Sequence, residues 1–211
     1  MKTLTFYLVR HGRTEWNEQD LLQGGGNSPL TKQGIESAKL TGKALAKIPF
    51  VAAYSSMLQR AIETAEYILE NTNTPLFCHS GLNELFFGSW EGRSVEELSL
   101  LPEFRQMRKK PGEYLAQSNQ GETYDKLAKR VLTTLHDIIS KYSSGNILIV
   151  SHGHTLRMLL ALLSGGTWQT HRKDSKSVLN TSISIVRYEQ KGNENGQFFV
   201  ESVNDVSHLT E

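Results

Sequence analysis

The chain has 211 residues, 38% of them hydrophobic, and carries 23 lysines and arginines against 22 aspartates and glutamates. That is enough for one substantial core and argues against a second full domain, and the near-neutral balance gives no electrostatic reason to expect nucleic acid or an anionic membrane as partner. A single cysteine, Cys78, excludes an intrachain disulfide and a cysteine-rich zinc site and fits a reducing compartment.

The N-terminal stretch MKTLTFYLV is interrupted by Arg10, and no small-residue cleavage site follows it. No apolar run approaches the roughly 20 residues that span a bilayer, so a cytoplasmic location is expected. Leu4 to Val9 is a compact apolar run that predicts a strand buried on both faces, and it leads straight into Arg10, His11 and Gly12. A strand end is a rigid platform on which a histidine can be aimed, so this pair is a candidate reactive centre.

Thr31 is placed to cap a helix through residues 32–48, with Ile35, Ala38, Leu45 and Ile48 roughly on one face. FVAAYSS, residues 50–56, reads as a second strand. Leu58, Ile62, Ala65 and Leu69 recur at three- and four-residue steps, which predicts a helix from Met57 to Leu69. Pro75 opens a third strand segment, PLFCHS.

From Glu84 to Gln120 the pattern turns irregular, with helix-like pieces at SVEEL and PEFRQMRKK. The expectation is a small helical lid or cap over approximately residues 86–120, outside the core, with the basic run Arg105 to Lys110 as a solvated face. Regular periodicity returns at Thr123, where Tyr124, Leu127, Val131, Leu135 and Ile138 form an apolar stripe, and a strand follows at Ile147 to Val150. SHGHTLRMLLALLSGG gives a turn and a short buried helix. SISIVRY and QFFVESV are two late strands around a turn at KGNENG. Alternating β and α units predict one domain, residues 1–211: an α/β fold, a three-layer α/β/α sandwich on a mostly parallel central sheet.

LVRHG and IVSHGHT both finish an apolar strand with a histidine and a glycine. Strand carboxyl ends share one edge of a parallel sheet, where open α/β folds bind ligands, so His11 and His152 can meet there. A histidine that merely caps its strand is the bland alternative, and the repetition of the pattern disfavours it. Zinc on His11, His152 and His154 is another, but alternate residues of an extended segment point to opposite sides and HExxH is missing. No metal is expected, and His154 reads as a turn or helix-start residue. Arg10 stands beside His11, and SSMLQRAIETAE places Arg60 in the first turns of a helix at the same edge. Two guanidiniums, a helix amino terminus and two imidazoles match the charge and fork geometry of a phosphoryl group. The glycines of QGGGNSPL lack the GK[ST] ending of a Walker loop.

In order, LVRHGRTEWN, LQGGGNSPLTKQG, YSSMLQRAIETAE, NELFFGSWEG, GETYDKLAKRV, VSHGHTLRMLL and NTSISIVRY resemble the histidine phosphatase superfamily, which includes cofactor-dependent phosphoglycerate mutases and broad-specificity phosphatases. The resemblance covers nearly the whole chain and implies a phosphoglycerate mutase-like fold. It implies His11 as the phosphorylated nucleophile, Arg10, Arg60 and His152 as holders of the transferring group, and Glu84 as acid and base. It also implies substrate contacts from Asn17, Gln23, Gly24 and Gly153. Arg13, where the family more usually has an acid or amide, and Gly25, often a large aromatic, are departures that bear on substrate preference.

The residue chemistry agrees with those roles. Neutral imidazole is a good nucleophile near neutral pH, and fixed positive donors stabilise the equatorial oxygens, with His152 expected to be protonated. Glu84 lies beside Leu85, Phe86 and Phe87, which predicts a raised carboxyl pKa suited to protonating a leaving alkoxide.

The expected function is therefore a metal-independent phosphomonoester phosphatase acting through phosphohistidine on a small phosphorylated metabolite. A cofactor-dependent phosphoglycerate mutase is the runner-up, and only that reading calls for 2,3-bisphosphoglycerate. Family mutases carry a long insertion with a basic pair after the glutamate loop; here the segment is short, and Arg93, Arg105, Arg108, Lys109 and Lys110 fall in no matching pattern. A catalytically silent phosphate-binding protein is the alternative from another class. Sugar phosphates, phosphoglycerates, a phosphate ester of cobamide synthesis and phosphoprotein all stay open as substrates. The partner expected is a small phosphorylated substrate, without nucleic acid or membrane, and a homodimer is left open.

Overall fold

A computed structural model describes residues 1–210, in which six strands and seven α-helices alternate along the chain. In order they are β1 (Lys2–Arg10), α1 (Glu15–Glu18), α2 (Lys32–Ala44), β2 (Phe50–Ser55), α3 (Gln59–Ile68), β3 (Leu76–Cys78), α4 (Val95–Leu98), α5 (Pro102–Lys109), α6 (Tyr124–Ser140), β4 (Ser144–Ser151), α7 (Gly153–Leu163), β5 (Ile183–Gln190) and β6 (Gln197–Asp205). The strands form one sheet in the order β3-β2-β4-β1-β5-β6. The first four run parallel, and β5 and β6 are antiparallel to their neighbours.

The alternation of side chains along the strands builds the two outer layers. Leu4, Phe6 and Leu8 of β1 and Ile147 and Ile149 of β4 face the larger core, with Leu127, Val131 and Leu135 of α6 and Leu156 and Leu159 of α7. Val9, Leu148 and Val150 face the other way, onto Ala61, Ala65 and Ile68 of α3. The expected three-layer α/β/α sandwich is therefore observed, and double-sided burial explains why these strands read as unbroken apolar runs.

Helix boundaries differ from the expectation where local hydrogen bonds intervene. Thr31 caps α2 by accepting from the Gly34 amide at 3.0 Å, but the helix closes at Ala44. The α3 helix begins two residues late, because the Met57 amide donates to Asn83 Oδ1 at 2.9 Å and the Leu58 amide to Ser56 Oγ at 3.2 Å.

The segment expected to rest on the core as a lid is part of it. Trp90, Leu98, Phe104, Met107 and Tyr114 are all buried in the larger cluster. The Trp90 ring stacks on Tyr114 at 6.1 Å and meets Phe104 edge-on at 5.5 Å. Irregular backbone hid this packing from a periodicity reading; Gly88, for instance, takes φ +57° where the chain passes the Asn119 carbonyl. The basic run is likewise not one solvated face, since Met107 points inward and Arg108 turns toward a cleft.

At the far edge, β6 pairs irregularly with β5, and Arg187 of β5 covers Phe199 at 4.5 Å while pairing with Glu201 at 2.7 Å and with Glu189. Among the described residues no helix is long and apolar enough to cross a membrane. If residues 86–120 belong to the core, Trp90→Ala should lower the free energy of unfolding by about 3–5 kcal/mol and shift a single cooperative urea transition. An unshifted main transition with only local proteolytic sensitivity would assign the segment to a separate cap.

Candidate active site

The strand ends bring the reactive groups together as the paired His-Gly motifs suggest. Arg10 lies opposite Ser151 in the β1–β4 register, and the His11 amide continues the ladder to the Ser151 carbonyl at 3.0 Å. The His11 and His152 rings lie 5.1 Å apart. A small cleft of about 210 Å³ opens at this edge; Arg10, His11, Asn17, Gln23, Glu84 and Gly153 form part of its wall. Arg60 and His152 stand behind the wall, fully buried, and Gly24 is outside the lining as well.

His11 Nδ1 is 2.8 Å from the Gly12 carbonyl. A carbonyl only accepts, so Nδ1 carries the proton and Nε2 presents its lone pair. Gly12 is itself fixed, its amide donating to Thr64 Oγ1 at 2.9 Å, and Asn180 Nδ2 donates to the His11 carbonyl at 2.9 Å. Burial, and then the charges of Arg60, His152 and Arg10, hold the His11 pKa well below the ordinary value. The imidazole is neutral at pH 7.

His152 is neutral too, contrary to the protonated form expected. Burial first, and then Arg60, depress its pKa, and the opposing carboxylate of Glu84 does not compensate. Ser56 Oγ accepts from the Leu58 amide and lies 2.7 Å from His152 Nε2, which leaves Nδ1 as the other ring nitrogen. That Nδ1 is buried without a partner, as are Arg10 Nε, Arg60 Nε and Gln23 Nε2. Buried polar groups are nearly always paired, and these four unpaired nitrogens beside His11 are the exceptions that a ligand's oxygens could satisfy.

The rest of Arg60 has a different task from the one expected. Its two amino ends donate to the carbonyls of Gly24 and Gly26 at 2.6 and 2.5 Å. From the other side, Glu91 accepts from the amides of Gly24, Gly25 and Gly26 at 2.9, 2.9 and 3.2 Å. A guanidinium and a carboxylate thus clamp the glycine loop that carries Gln23. Gly24 spends both backbone groups inside this clamp, and a side chain there would collide with Leu85 and Glu91. Burial lowers the Arg60 pKa to about 10, against the pull of Glu84 and Glu91, so it stays charged at pH 7.

Glu84 reverses the sequence expectation. Its carboxylate sits at the amino terminus of α7, accepting from the amides of His154 and Thr155 at 3.0 Å each and from the Thr155 hydroxyl at 3.0 Å, with His154 Nδ1 at 3.4 Å. Burial alone would raise the pKa, but the contacts with His154 and the amides outweigh it and hold the carboxyl well below its usual range. The apolar neighbours misled because they report only the burial, Leu85 and Phe87 being fully buried, and not the hydrogen bonds from α7 that outweigh it. Sequence reasoning assigned no role to Ser56, Thr64, Thr155 and Asn180, although each lies within a motif that carries the resemblance, and it did not foresee the grip of Glu91 on the glycine loop. It missed the part of His154 in holding Glu84, and Arg157 and Arg172, which line the cleft beside Arg108. Among the described residues no cluster of three or more His, Cys, Asp or Glu is arranged to hold a metal ion.

A carboxyl whose pKa is depressed by folding adds stability above its unfolded pKa of about 4.5, and that stability is lost as pH falls through the folded value. The stability gap between wild type and Glu84→Gln should therefore be widest near pH 7 and shrink below about pH 4.5, read by urea unfolding across pH. A gap independent of pH would mean that Glu84 is not ionised in the folded protein.

The comparisons with known proteins point the same way. GpmB of Yersinia pestis, named a "probable phosphoglycerate mutase", is 33% identical over 208 residues, covering 98% of this chain and 95% of that protein. The structure of Bacillus stearothermophilus YhfR superposes with a TM-score of 0.89 at 32% identity, over 98% of this chain and 100% of that one. The alpha-ribazole phosphatase of Shigella flexneri gives a TM-score of 0.83 at 28% identity, over 95% and 96%. The family profile described as histidine phosphatase superfamily (branch 1) matches residues 6–201, and with His11, His152, Arg10 and the buried Glu84 gathered at the expected strand edge, this chain belongs to that superfamily.

Proposed function

We propose that the chain is a phosphomonoester phosphatase acting on a small phosphorylated metabolite through a phosphohistidine intermediate. The observation that carries this reading is the commitment of the His11 Nδ1 proton to the Gly12 carbonyl, which leaves Nε2 as an aimed, neutral nucleophile. Nε2 attacks phosphorus in line, the P–O bond to the alcohol breaks, and the new imidazolium is stabilised by Gly12. Arg10 Nε, Arg60 Nε, the His152 Nδ1–H and Gln23 Nε2 are the donors offered to the equatorial oxygens. Water then attacks the phosphohistidine and releases inorganic phosphate. The reading assigns the countercharge to guanidinium and imidazole and calls for no metal.

The resting charge of Glu84 constrains the proton path. A phosphomonoester has a second pKa of about 6, so a substrate monoanion brings a proton with it. The phosphoryl charge beside Glu84 and His152 raises both pKa values, which allows the carboxylate to take that proton and pass it to the leaving oxygen. The same carboxylate then serves as base for the incoming water.

A second reading, phosphoglycerate mutase, is favoured by the name of the Yersinia relative. Assays with 3-phosphoglycerate, with and without 2,3-bisphosphoglycerate, separate the two, because a phosphatase releases inorganic phosphate and a mutase interconverts isomers.

Neutral-pH quench and mass spectrometry should locate a phosphoryl adduct on His11 during turnover, and His11→Ala should lose activity by several orders of magnitude. Near-normal turnover by that variant would remove His11 from the nucleophile's role. Glu84→Gln should slow phosphorylation by alkyl phosphates about 100- to 10,000-fold and by nitrophenyl phosphate far less, because only the alkoxide needs a proton as it leaves. Equal pre-steady-state losses on both substrates would assign the acid elsewhere.

A further inference from the structure

Glu84 has little direct access to water. Its Oε1 accepts from the amides of Leu85 and Thr155 at 2.9 and 3.0 Å and from the Thr155 hydroxyl at 3.0 Å, and its Oε2 accepts from the His154 amide at 3.0 Å. Only 5% of the Glu84 side chain is exposed, on the same cleft wall as His11, where a substrate would cover it. A carboxyl that must gain a proton in one half of a reaction and lose one in the other needs a route to solvent that the substrate does not close.

The His154 imidazole lies on such a route. Its Nδ1 is 3.4 Å from Glu84 Oε2, and 24% of its side chain is exposed on the cleft wall. That contact is long for a hydrogen bond, and contacts of this kind tighten when a substrate closes the site. The Phe87 ring meets the imidazole edge-on at 5.1 Å and bounds it on one side. A carboxylate only accepts, so the nitrogen facing it carries the ring proton and Nε2 keeps the lone pair. Nε2 forms no hydrogen bond among the described residues and is not one of the buried unpaired atoms, so it opens on the cleft.

The surrounding charges leave the ring neutral at rest. Burial first, and then Arg172 of the segment between α7 and β5 and Arg10 at the end of β1, hold its pKa below the ordinary value against the pull of Glu84. Asp20, Arg108 and Arg157 share the cleft wall, and His171 feels the charge of His154 from the segment after α7. A neutral imidazole with its N–H toward a carboxylate and its bare nitrogen toward solvent can take a proton on one side as it releases one on the other.

We propose that His154 is the proton relay of Glu84, so that phosphate dianions, which bring no proton of their own, are substrates. In the first half, Nε2 takes a solvent proton while Nδ1 releases its own to Oε2, and the carboxyl gives that proton to the alkoxide as the P–O bond breaks. In the second half, Glu84 takes a proton from the attacking water and returns it to Nδ1, and Nε2 releases its proton to solvent. One proton enters and one leaves, the ring ends in its starting tautomer, and inorganic phosphate departs as the dianion. His154 acts through Glu84 and not on the substrate. The proposal rests on the phosphatase reading, but the ring tautomer can be read without turnover.

The first test uses His154→Gln, which keeps a side-chain donor for Glu84 and removes the second ring nitrogen. On an alkyl phosphate the ratio of wild-type to variant kcat should rise from near one at about pH 5 to about 10- to 100-fold at about pH 8, where the substrate is a dianion. A ratio independent of pH would leave His154 as a brace and overturn the relay. In His154→Ala, added imidazole should restore kcat at about pH 8, whereas N-methylimidazole, similar in shape but with one nitrogen blocked, should not; equal rescue by both would overturn the relay as well. Nitrogen-15 NMR of the labelled full chain should find the His154 proton on Nδ1 with Nε2 bare at about pH 8, and the reverse tautomer would overturn the proposal. If the expected tautomer is found while wild-type protein releases no phosphate from any monoester, the proton route stands and the phosphatase reading falls.

Discussion

The parallel pairing of β1 with β4 is the constraint on which the site depends. Its register sets Arg10 against Ser151, so the chain leaves both strands at the same height and His11 faces His152. A slip of one residue would turn every side chain of β1 to the opposite face, exchanging Leu8 for Val9 in the larger core and removing His11 from the cleft. Double-sided burial makes that slip prohibitive. The antiparallel neighbour adds a second tie: the Thr181 amide donates to the Arg10 carbonyl at 2.8 Å. Thr181 holds φ at +54°, a conformation costing a β-branched residue about 1–3 kcal/mol, and this turn delivers Asn180 to the His11 carbonyl.

Around that anchor the charges are arranged before any substrate arrives. Glu84 is committed to the first amides of α7, and the guanidinium–carboxylate clamp of Arg60 and Glu91 freezes the glycine loop. The imidazoles of His11 and His152 are neutral as a result of burial and neighbouring arginines. Donors fixed in this way need no reorganisation as charge moves onto the transferring oxygens.

Much of the fold was legible in the sequence because its signals are local and repeated. Leu4 to Val9 and Ile147 to Val150 read as strands through composition, and the stripe from Tyr124 to Ile138 through period. His11 and His152 announced themselves by position at the ends of such strands. What could not be read was set by distant parts of the chain. Trp90 and Tyr114 join the core through turns of irregular backbone that no period describes. The pKa of Glu84 depends on the side chain and amide of His154, about seventy residues on, which no local pattern around Glu84 announces. Arg60 was placed correctly at the sheet edge, but its grip on Gly24 and Gly26 needed the three-dimensional path of the loop.

The hairpin of β5 and β6 has a consequence for where the sheet can come apart. Without it, β1 would be an edge strand, and thermal fraying would begin at the strand that leads into His11. With it, the open ladder lies two strands away, on β6, where Arg187 covers Phe199 and the irregular pairing discourages another chain from docking. Local opening concentrates at such weakly paired margins. Transient loss of β6 leaves β1 bonded on both sides, so the cheapest fluctuation of the sheet is insulated from the chemistry.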